Sequence, residues 1–316
     1  MRIMVPGAAG FIGFHLCERL LDDGHEVVGV DNYVTGQPQN IADLGRRPRF
    51  TFLMHDITNP IPASAGPVEL VFNLACPASP VDFGPRRLAI MAVCSAGVWN
   101  LLSFCESCGA RLTQASTSEV YGDPQEHPQR ESYHGNVNPI GPRSCYDEGK
   151  RFAEALIACY QRDGKVEARI ARIFNTYGPR MRADDGRVLP NFVSQAMTGR
   201  ALTVHGDGRQ TRSFCYVSDL VDGLWRLSQS DVTAPVNLGN PHEVTILEFA
   251  QQVIRLTGSS STIQHVPRLA DDPALRRPDI TRARECLDWR PAVELEAGLQ
   301  RTIAALQAEQ VAGKAT

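Results

Sequence analysis

The chain has 316 residues, 43% of them hydrophobic, and a formal net charge of −3 at pH 7. A chain of this length and composition can bury a full core in one or two domains. With a sequence pI of about 6.2, it lacks the basic field of a nucleic-acid-binding protein, so we expect no nucleic-acid partner. No unbroken apolar run approaches the ~18–20 residues of a transmembrane helix, so we expect no membrane partner.

The chain starts with the pattern of a strand, a glycine turn and a helix. The apolar run 2–5 is followed by Gly7, Gly10 and Gly13 at the spacing GxxGxxG, and then by an amphipathic segment from Phe14 to Leu21. Glycines at this point let the backbone close on a pyrophosphate, whose charge lies at the helix N-terminus among free N–H groups. The pattern predicts a dinucleotide site.

A second apolar run, 26–30, ends in Asp31, 18 residues after Gly13. An acidic residue at this position accepts hydrogen bonds from the adenosine ribose hydroxyls and repels a 2′-phosphate. The sequence therefore predicts NAD rather than NADP as the cofactor.

Further apolar runs alternate with helical patterns, at 50–54, 69–74, 111–116 and 166–173. Strands separated by helices of this length predict an α/β domain with a doubly wound, mostly parallel sheet of about seven strands. Two of the runs end in polar residues, where a ligand at the carboxyl ends of the strands would lie: Asp56 in one and Asn73 in the other. The Asp56 carboxylate either hydrogen-bonds the adenine amino group or caps a turn.

The tyrosine and lysine at positions 146 and 150 are spaced i, i+4 in a helix predicted from about Tyr146 to Arg162. They therefore project from one face. A phenol has a pKa of ~10, and a nearby ammonium favours its ionised form. The pair predicts a base that takes a proton from a sugar hydroxyl while hydride leaves the same carbon. Taken alone, the spacing also fits an ordinary surface pair.

After Asn175 the regular alternation ends and proline and glycine become frequent, which predicts a smaller α/β lobe. Within 211–240, the runs 213–217 and 235–239 have the pattern of short strands that return to the first domain. We therefore predict an NAD-binding Rossmann domain from 1–175 with parts of 211–240. A nucleotide-sugar-binding lobe is predicted from 176–210 and 241–316.

Nine cysteines, an odd number spread through apolar segments, indicate reduced thiols and a cytoplasmic protein. Cys105 and Cys108 form one C-x-x-C without a second ligand pair nearby. We interpret them as packed or surface thiols and predict no metal site.

The glycine motif, Asp31-Asn32-Tyr33 and the Tyr146/Lys150 pair resemble the extended short-chain dehydrogenase/reductase superfamily. Longer blocks are similar to one group within it, the UDP-glucuronate decarboxylase (UDP-xylose synthase) family. These blocks are Asn73–Val81, Ser116–Gln125, His127–Phe152, Arg172–Arg182, Asp184–Val193, Asp207–Val221 and Arg276–Asp279. The similar segments cover most of residues 1–290.

The resemblance implies a reaction and its residues. Tyr146 is expected to take the proton of the C4 hydroxyl, with Lys150 holding the nicotinamide ribose and lowering the tyrosine pKa. Thr117 and Ser118 are expected to hydrogen-bond O4, and Glu119 to manage protons at C5. Hydride transfer from C4 to NAD⁺ gives a 4-ketone, loss of CO₂ from the β-carboxylate follows, and return of hydride yields UDP-xylose.

The same resemblance assigns the binding residues. Arg276 is expected to bind the sugar carboxylate as a bidentate fork. The residues expected to hold the UDP are Asn175, Arg180, Arg187, Asn191, Gln210 and Arg212. Those expected to hold NAD are Gly7, Gly10, Phe11, Ile12, Gly13, Asp31, Asn32, Thr35, Gly36, Asp56, Ile57, Leu74 and Ala75, together with Tyr146 and Lys150. The helix near 88–108 and the helix from Tyr146 are expected to form a homodimer interface.

One position departs from the family. Anchored on Gly97, the chain has Cys94 where relatives usually have an asparagine that supports a proton relay. A thiol is a poor substitute in a hydrogen-bond relay, so we expect the proton path to differ.

Three alternatives remain open at this stage. A UDP-hexose 4-epimerase shares the architecture, but we expect epimerases to bind neutral sugars and not to need Arg276. Nucleotide-sugar 4,6-dehydratases carry Asp-Glu after the threonine, whereas this chain has Ser118-Glu119. A non-catalytic NAD-binding regulator is expected to lack Tyr146 or Lys150.

Overall fold

The computed structural model describes residues 1–182, 185–267 and 275–313. Its strands are β1 Arg2–Pro6, β2 Glu26–Asp31, β3 Phe50–Met54, β4 Leu70–Asn73, β5 Arg111–Thr117, β6 Ala168–Ile173, β7 Thr176–Tyr177, β8 Leu202–His205, β9 Thr211–Ser213, β10 Cys215–Tyr216, β11 Val236–Leu238, β12 Glu243–Thr245 and β13 Ile263–Val266. Its α-helices are α1 Phe11–Asp22, α2 Pro38–Leu44, α3 Arg87–Ala92, α4 Val98–Cys108, α5 Ser144–Arg162, α6 Val188–Met197, α7 Val217–Gln229, α8 Ile246–Thr257, α9 Thr281–Leu287 and α10 Leu295–Gly313.

Within these residues, seven strands form one sheet in the order β11-β6-β5-β4-β1-β2-β3. Every neighbouring pair in it is parallel. The order reverses between β1 and β4, which leaves a crevice at the carboxyl ends of these strands, where open α/β sheets bind ligands. The predicted doubly wound parallel sheet is confirmed, and the strands lie within a few residues of the predicted runs.

The two faces of the sheet bury two separate cores. In β1, Ile3 and Val5 face the first core and Met4 faces the second, because successive side chains of a strand point to opposite faces. The first core includes α1 and α7 and continues into the smaller lobe. The second is covered by α4 and α5, which bring Leu101 and Ile157 onto the sheet. Helix α5, which carries Tyr146 and Lys150, is therefore fixed against the sheet.

The region 211–240 differs from the expectation. The run 213–217 is not one strand of the main sheet, because Phe214 interrupts it and separates β9 from β10. Strand β9 pairs antiparallel with β12, and β10 pairs parallel with β7. Strand β11 does pair with β6 at the edge of the seven-stranded sheet. The division into two domains stays a prediction, and residues 183–184, 268–274 and 314–316 of the predicted lobe lie outside the described residues.

Helices α3 and α4 are joined by a π-helical turn, Val93–Gly97, into one long helix, Arg87–Cys108. Its mean hydropathy of 1.8 makes it the one helix of the described chain that is long and apolar enough to cross a membrane. The segment is not the unbroken apolar run that the sequence analysis looked for, because Ser95, Asn100 and Ser103 interrupt it, but the mean hydropathy of an 18-residue window stays high. The test is weak evidence, because core helices of soluble proteins also pass it.

Candidate active site

A cavity of about 370 Å³ opens at the carboxyl edge of the sheet and extends towards the smaller lobe. The predicted site residues that line it are Gly7, Gly10, Phe11, Ile12, Gly13, Thr35, Leu74, Thr117, Ser118, Glu119, Tyr146, Lys150, Asn175, Arg180, Arg187, Asn191, Gln210, Arg212 and Arg276. The predicted cofactor residues that do not line it are Asp31, Asn32, Gly36, Asp56, Ile57 and Ala75. One cavity thus brings together the predicted catalytic and substrate-binding residues and more than half of the predicted cofactor-binding residues.

The glycine turn between β1 and α1 has the close backbone approach that a pyrophosphate site needs. Gly7 has φ +87, and a Cβ there would lie 2.6 Å from the carbonyl carbon of Leu74. A Cβ on Gly13 would lie 1.9 Å from the Gly7 oxygen, so only glycine fits at both positions. The three glycines line the cavity next to the N-terminus of α1, which fits a bound NAD.

Asp31 lies directly behind this turn at the end of β2. Its two carboxylate oxygens accept hydrogen bonds from the backbone N–H groups of Ala9 and Tyr33, at 3.0 and 2.8 Å. Burial raises the pKa of Asp31, and these two hydrogen bonds oppose the shift. Each oxygen keeps a second lone pair, so the carboxylate can still accept ribose hydroxyls. The geometry fits the NAD role, although Asp31 lies behind the cavity wall.

Asp56 and Ile57 are placed differently from each other. The Asp56 carboxylate accepts hydrogen bonds from Asn32 Nδ2 at 3.0 Å and from the N–H and hydroxyl of Thr58. Asp56 therefore caps a turn. Because it also lies beside Asn32, another predicted cofactor residue, a hydrogen bond to the adenine amino group stays a prediction. The Ile57 side chain is 4% exposed and packs against Gly97 of the π-helical turn, so it belongs to the core.

Tyr146 and Lys150 lie one above the other on the first turns of α5, with the Lys150 ammonium 5.7 Å from the centre of the tyrosine ring. Lys150 donates a hydrogen bond of 2.8 Å to the backbone oxygen of Ala115. Thr117, at the end of β5, lies close enough to the Tyr146 phenol to lower its pKa. Burial raises the pKa of Tyr146 above its usual range, and Lys150 and Thr117 offset only part of this rise. Lysine lowers the tyrosine pKa as predicted, but burial has the larger effect.

The sequence did not predict a role for Phe83, which precedes α3. Its ring stacks on that of Tyr146, with centroids 5.0 Å apart and planes 19° from parallel. The Arg143 guanidinium lies 5.5 Å from the centre of the same ring. Phe83 therefore holds the tyrosine from one side, and no signal in the sequence distinguishes it from other core aromatics.

Glu119 lies at the centre of a cluster of three charged side chains in the cavity. Arg276 binds it as a fork, with Nη1–Oε1 at 2.5 Å and Nη2–Oε2 at 2.9 Å, and Arg143 adds a bond of 2.7 Å to Oε2. Burial alone would raise the pKa of Glu119, but the two guanidinium groups outweigh it and lower the pKa to about 2. Glu119 is thus an ionised acceptor in this state and not a proton donor.

Arg143 lies within the similar segment His127–Phe152, but the resemblance did not imply a role for it. It lies three residues before Tyr146 and lines the same cavity, so the i, i+3 spacing of α5 was a usable signal.

Asp147 follows Tyr146 on α5 and is 6% exposed. Its Oδ1 is buried and has no hydrogen-bond partner among the described residues. Burial, together with the nearby charge of Glu119, raises the pKa of Asp147 to about 7. This carboxyl group lies behind the cavity wall and changes charge near neutral pH.

The predicted UDP residues divide between two sides of the cavity. Arg180 is placed on the cofactor side, because its Nη2 binds Asp43 of α2 at 2.8 Å and its guanidinium lies 4.6 Å from the Phe14 ring of α1. Arg187 is held by Asp185 through a bidentate ion pair. The other members make backbone contacts on the lobe side: Asn191 donates to Gly186, Gln210 to His205 and Arg212 to Thr211. Their roles stay predictions.

Cys94 lies in the π-helical turn, 2% exposed, with its Sγ 3.7 Å from the Sγ of Cys76. It packs on α5, where a Cβ built on Gly149 would meet its sulfur at 3.3 Å. Cys105 is buried, and Cys108 contacts the Val68 carbonyl. Within the described ranges, no three His, Cys, Asp or Glu side chains are grouped to hold a metal ion.

Comparison with protein families and curated proteins gives a consistent result. Residues 3–239 match the family described as NAD dependent epimerase/dehydratase. The chain is 51% identical over 303 residues to UDP-glucuronic acid decarboxylase 1 of Arabidopsis thaliana, covering 96% of this chain and 69% of the plant protein. It is also 51% identical over 302 residues to UDP-glucuronic acid decarboxylase 1 of Danio rerio, covering 96% and 72%.

Among solved structures, the chain resembles a UDP-glucuronic acid 4-epimerase from Bacillus cereus in complex with UDP-glucuronic acid and NAD. The TM-score is 0.87 at 28% identity, over 98% of this chain and 100% of that one. A UDP-glucose 4-epimerase from Thermotoga maritima gives a TM-score of 0.90 at 26% identity, over 98% and 100%. The expectation that epimerases bind neutral sugars is therefore wrong as a general rule.

These matches agree with the glycine turn, the parallel sheet and the Tyr146/Lys150 pair. The chain belongs to the NAD dependent epimerase/dehydratase family, and within that family to the UDP-glucuronic acid decarboxylases.

Proposed function

We propose that the protein converts UDP-glucuronate to UDP-xylose and CO₂ through a UDP-4-keto sugar. The observation that carries the proposal is the arrangement of Glu119, Arg143 and Arg276 in the cavity that also holds Tyr146. Arg276 already binds a carboxylate as a fork, so its guanidinium is oriented for this geometry. The three side chains sum to one positive charge, which favours a second carboxylate, that of the sugar, beside them.

The charge cluster suggests how a substrate carboxylate is accommodated. When Arg276 turns to the sugar acid, Glu119 keeps Arg143 as a partner at 2.7 Å and is not left unpaired in a buried position. A contact that is stronger in the ground state than in the transition state would slow CO₂ loss. Competition from Glu119 limits the strength of the new ion pair, so orientation of the breaking bond is the contribution we assign to Arg276.

Tyr146, Thr117 and Lys150 surround the position expected for the C4 hydroxyl. NAD⁺, when bound, supplies the hydride acceptor for C4 and a positive charge that favours the phenolate. Tyr146 takes the hydroxyl proton, and Thr117 and Ser118 orient the oxygen. The resulting 4-ketone is β to the carboxylate, so loss of CO₂ leaves a delocalised enolate instead of a bare carbanion. Lys150 is anchored on Ala115 and holds its charge beside the phenol throughout.

The second candidate is a 4-epimerase that acts on UDP-glucuronate, since a solved structure of similar fold carries that name. The curated relatives at about half identity support decarboxylation instead. An epimerase would return an isomer of unchanged mass, whereas a decarboxylase releases CO₂ and a UDP-pentose.

Mass spectrometry of a reaction with purified protein, NAD and UDP-glucuronate separates these outcomes. We expect a UDP-pentose together with CO₂. Substrate labelled with deuterium at C4 then tests the ketone route, which predicts a slower turnover. An isomer with its carboxylate intact would assign the chain to the epimerases, and no product from any UDP-hexuronate would favour a regulator.

The protein is further proposed to be a homodimer. Apolar side chains on the long helix and on α5 remain exposed: Leu88 is 80% exposed, Trp99 54% and Phe152 48%. Trp99 packs edge-to-face with Tyr160 of α5, so the two helices present one continuous apolar face. Such a face on a water-soluble chain is typical of an interface, and a second copy of the same two helices would bury it in a four-helix contact.

Analytical ultracentrifugation tests this assembly. Trp99→Asp is expected to shift the wild-type dimer to monomer at micromolar concentration. Ile140→Asp is the matched control, because Ile140 is 92% exposed but lies outside the two helices. A monomeric wild type would contradict the proposal. We also keep the cytoplasmic location as a proposal, supported by nine free cysteines.

A further inference from the structure

Beyond the proposed reaction, the thiols around the catalytic helix form an arrangement that the reaction does not use. Cys76 follows β4 and lines the cavity, and Cys94 lies in the π-helical turn of the long helix. Their sulfur atoms are 3.7 Å apart, although the residues belong to different elements.

We propose that Cys76 and Cys94 form an oxidisable dithiol, a modification site that hydrogen peroxide converts to a disulfide within the active-site cavity. A disulfide has an S–S distance of ~2.05 Å, so the sulfur atoms must approach by roughly 1.6 Å. A rotation about a side-chain bond supplies movements of this size. The π-helical turn also places Cys94 where the helix departs from regular α geometry.

The electrostatics of the site favour the reactive form of one thiol. The two thiols are in hydrogen-bond contact, and either sulfur can be the donor. The contact with Cys76 lowers the pKa of Cys94, burial opposes this shift, and the Lys150 ammonium adds to it. Thiolates are the species that peroxides oxidise. The open side of the pair is Cys76, which is half-buried and faces the cavity, so a molecule as small as peroxide reaches the sulfurs from there.

Hydrogen peroxide oxidises the two thiols to a disulfide in two steps. A thiolate attacks one peroxide oxygen, the O–O bond breaks, hydroxide leaves, and the sulfur becomes a sulfenic acid. The second sulfur attacks the sulfenic sulfur, the S–O bond breaks, and the released hydroxyl leaves as water with the second thiol proton. In total, two thiols lose two electrons and two protons, and one peroxide is reduced to two waters. A dithiol reductant such as dithiothreitol reverses the bond by exchange.

The disulfide is expected to affect catalysis because of what it joins. Cys94 packs on the backbone of Gly149, the residue before Lys150. Cys76 follows Leu74, whose backbone packs against the Gly7 turn. The bond would tie the cofactor side of the cavity to the helix that carries the base. Displacing a catalytic group by about 1 Å costs up to 10²-fold in rate, so we expect turnover to fall by roughly ten-fold or more.

Peptide mapping provides the test. The full chain is treated with hydrogen peroxide, alkylated without reduction and digested with trypsin. We expect a cross-linked species joining the peptides Phe50–Arg86 and Leu88–Arg111, absent after dithiothreitol. Fragmentation within the second peptide separates Cys94 from Cys105 and Cys108. Turnover is measured on the same samples and should return with the reductant.

Serine variants of single cysteines are the controls for the cross-link. Cys94→Ser and Cys76→Ser should each abolish the cross-link and make turnover resistant to reversible inactivation, whereas Cys286→Ser, at an exposed thiol far along the chain, should behave like wild type. The wild-type mapping alone keeps the proposal testable if a variant fails to fold. Oxidation confined to the exposed Cys159 and Cys286, or a disulfide from Cys76 to Cys145, would overturn the proposal. The mapping does not depend on which sugar the enzyme accepts, so it can fail independently of the proposed function.

Discussion

Two ionisable clusters face the same cavity and respond to burial in opposite ways. Around Tyr146, burial outweighs the nearby Lys150 and raises the pKa of the phenol. Around Glu119, two guanidinium groups outweigh burial and lower the pKa of the carboxyl group. The difference lies in the partners, since Glu119 makes three direct charged hydrogen bonds and Tyr146 has its ammonium 5.7 Å from the ring centre.

This contrast indicates a division of labour. The Glu119 cluster is fully charged before any ligand binds, so it is suited to select and orient an anionic substrate. The raised pKa of the Tyr146 phenol disfavours its ionised form, and the positive charge of a bound NAD⁺ would favour it, so we expect its basicity to be highest in the assembled complex. A base that is switched on only in the complex avoids useless proton transfer in the free enzyme. Variants of residues in and beside the two clusters test whether the clusters have these separate roles.

The largest effect is expected for Tyr146→Phe. It removes the phenol that we propose accepts the C4 proton but keeps the ring that stacks on Phe83. We expect kcat to fall by roughly 10³-fold, within the range of general-base catalysis. Steady-state kinetics with UDP-glucuronate measure this, with Tyr160→Phe, on the same helix but away from the cavity, as the control. A kcat within two-fold of wild type would remove Tyr146 from the mechanism.

A smaller effect is expected for Arg276→Lys, which keeps the charge but loses the fork. We predict that kcat/KM for UDP-glucuronate falls by roughly 10²-fold, because a lysine cannot bind a carboxylate bidentately. Arg277→Lys is the matched neighbour, with a side chain directed to Glu243 instead of Glu119. If both variants lost activity equally, the defect would lie in the segment as a whole and not in carboxylate recognition.

The smallest effect concerns Asp147, whose pKa is raised to about 7 from an ordinary value of 3.8. Between these values the folded state binds more protons than the unfolded state, so stability falls as pH rises through this window. Asp147→Asn removes the penalty. Relative to wild type, we expect its free energy of unfolding to improve by on the order of 2 kcal/mol between pH 5 and pH 8.

Urea unfolding at both pH values measures the change. Asp163→Asn, at an exposed position after the same helix, is the control. An equal response of the two variants would show that the buried position of Asp147 does not control the pH dependence.

Most of the sheet and most of the cavity lining were predictable from the sequence. Strand periodicity located β1 to β6, because each core strand is a dense apolar run ended by turn residues. The glycine turn and the Tyr146/Lys150 pair depend only on local spacing, so their positions at the cavity followed directly.

Features that depend on contacts between distant segments were not predictable. Arg276 was predicted to bind the sugar carboxylate and Glu119 to manage protons at C5, but they were not predicted to bind each other. Their pairing crosses 157 positions of the chain. The Cys76–Cys94 contact and the stacking of Phe83 on Tyr146 also join segments that are distant in the sequence. Periodicity describes which face of an element is buried and carries no information on which side chain it meets.

The edge strand β11 has a consequence for how the molecule is made. Its partner β6 ends at Ile173, but β11 begins at Val236, after several elements of the smaller lobe have been synthesised. During translation, the backbone groups on the outer edge of β6 stay unpaired until that later stretch has been synthesised. Non-local pairing of this kind is slow and leaves an open strand edge that invites aggregation. We therefore expect the β6–β11 edge to pair later than β4–β5 and β5–β6, whose strands are all synthesised by residue 173.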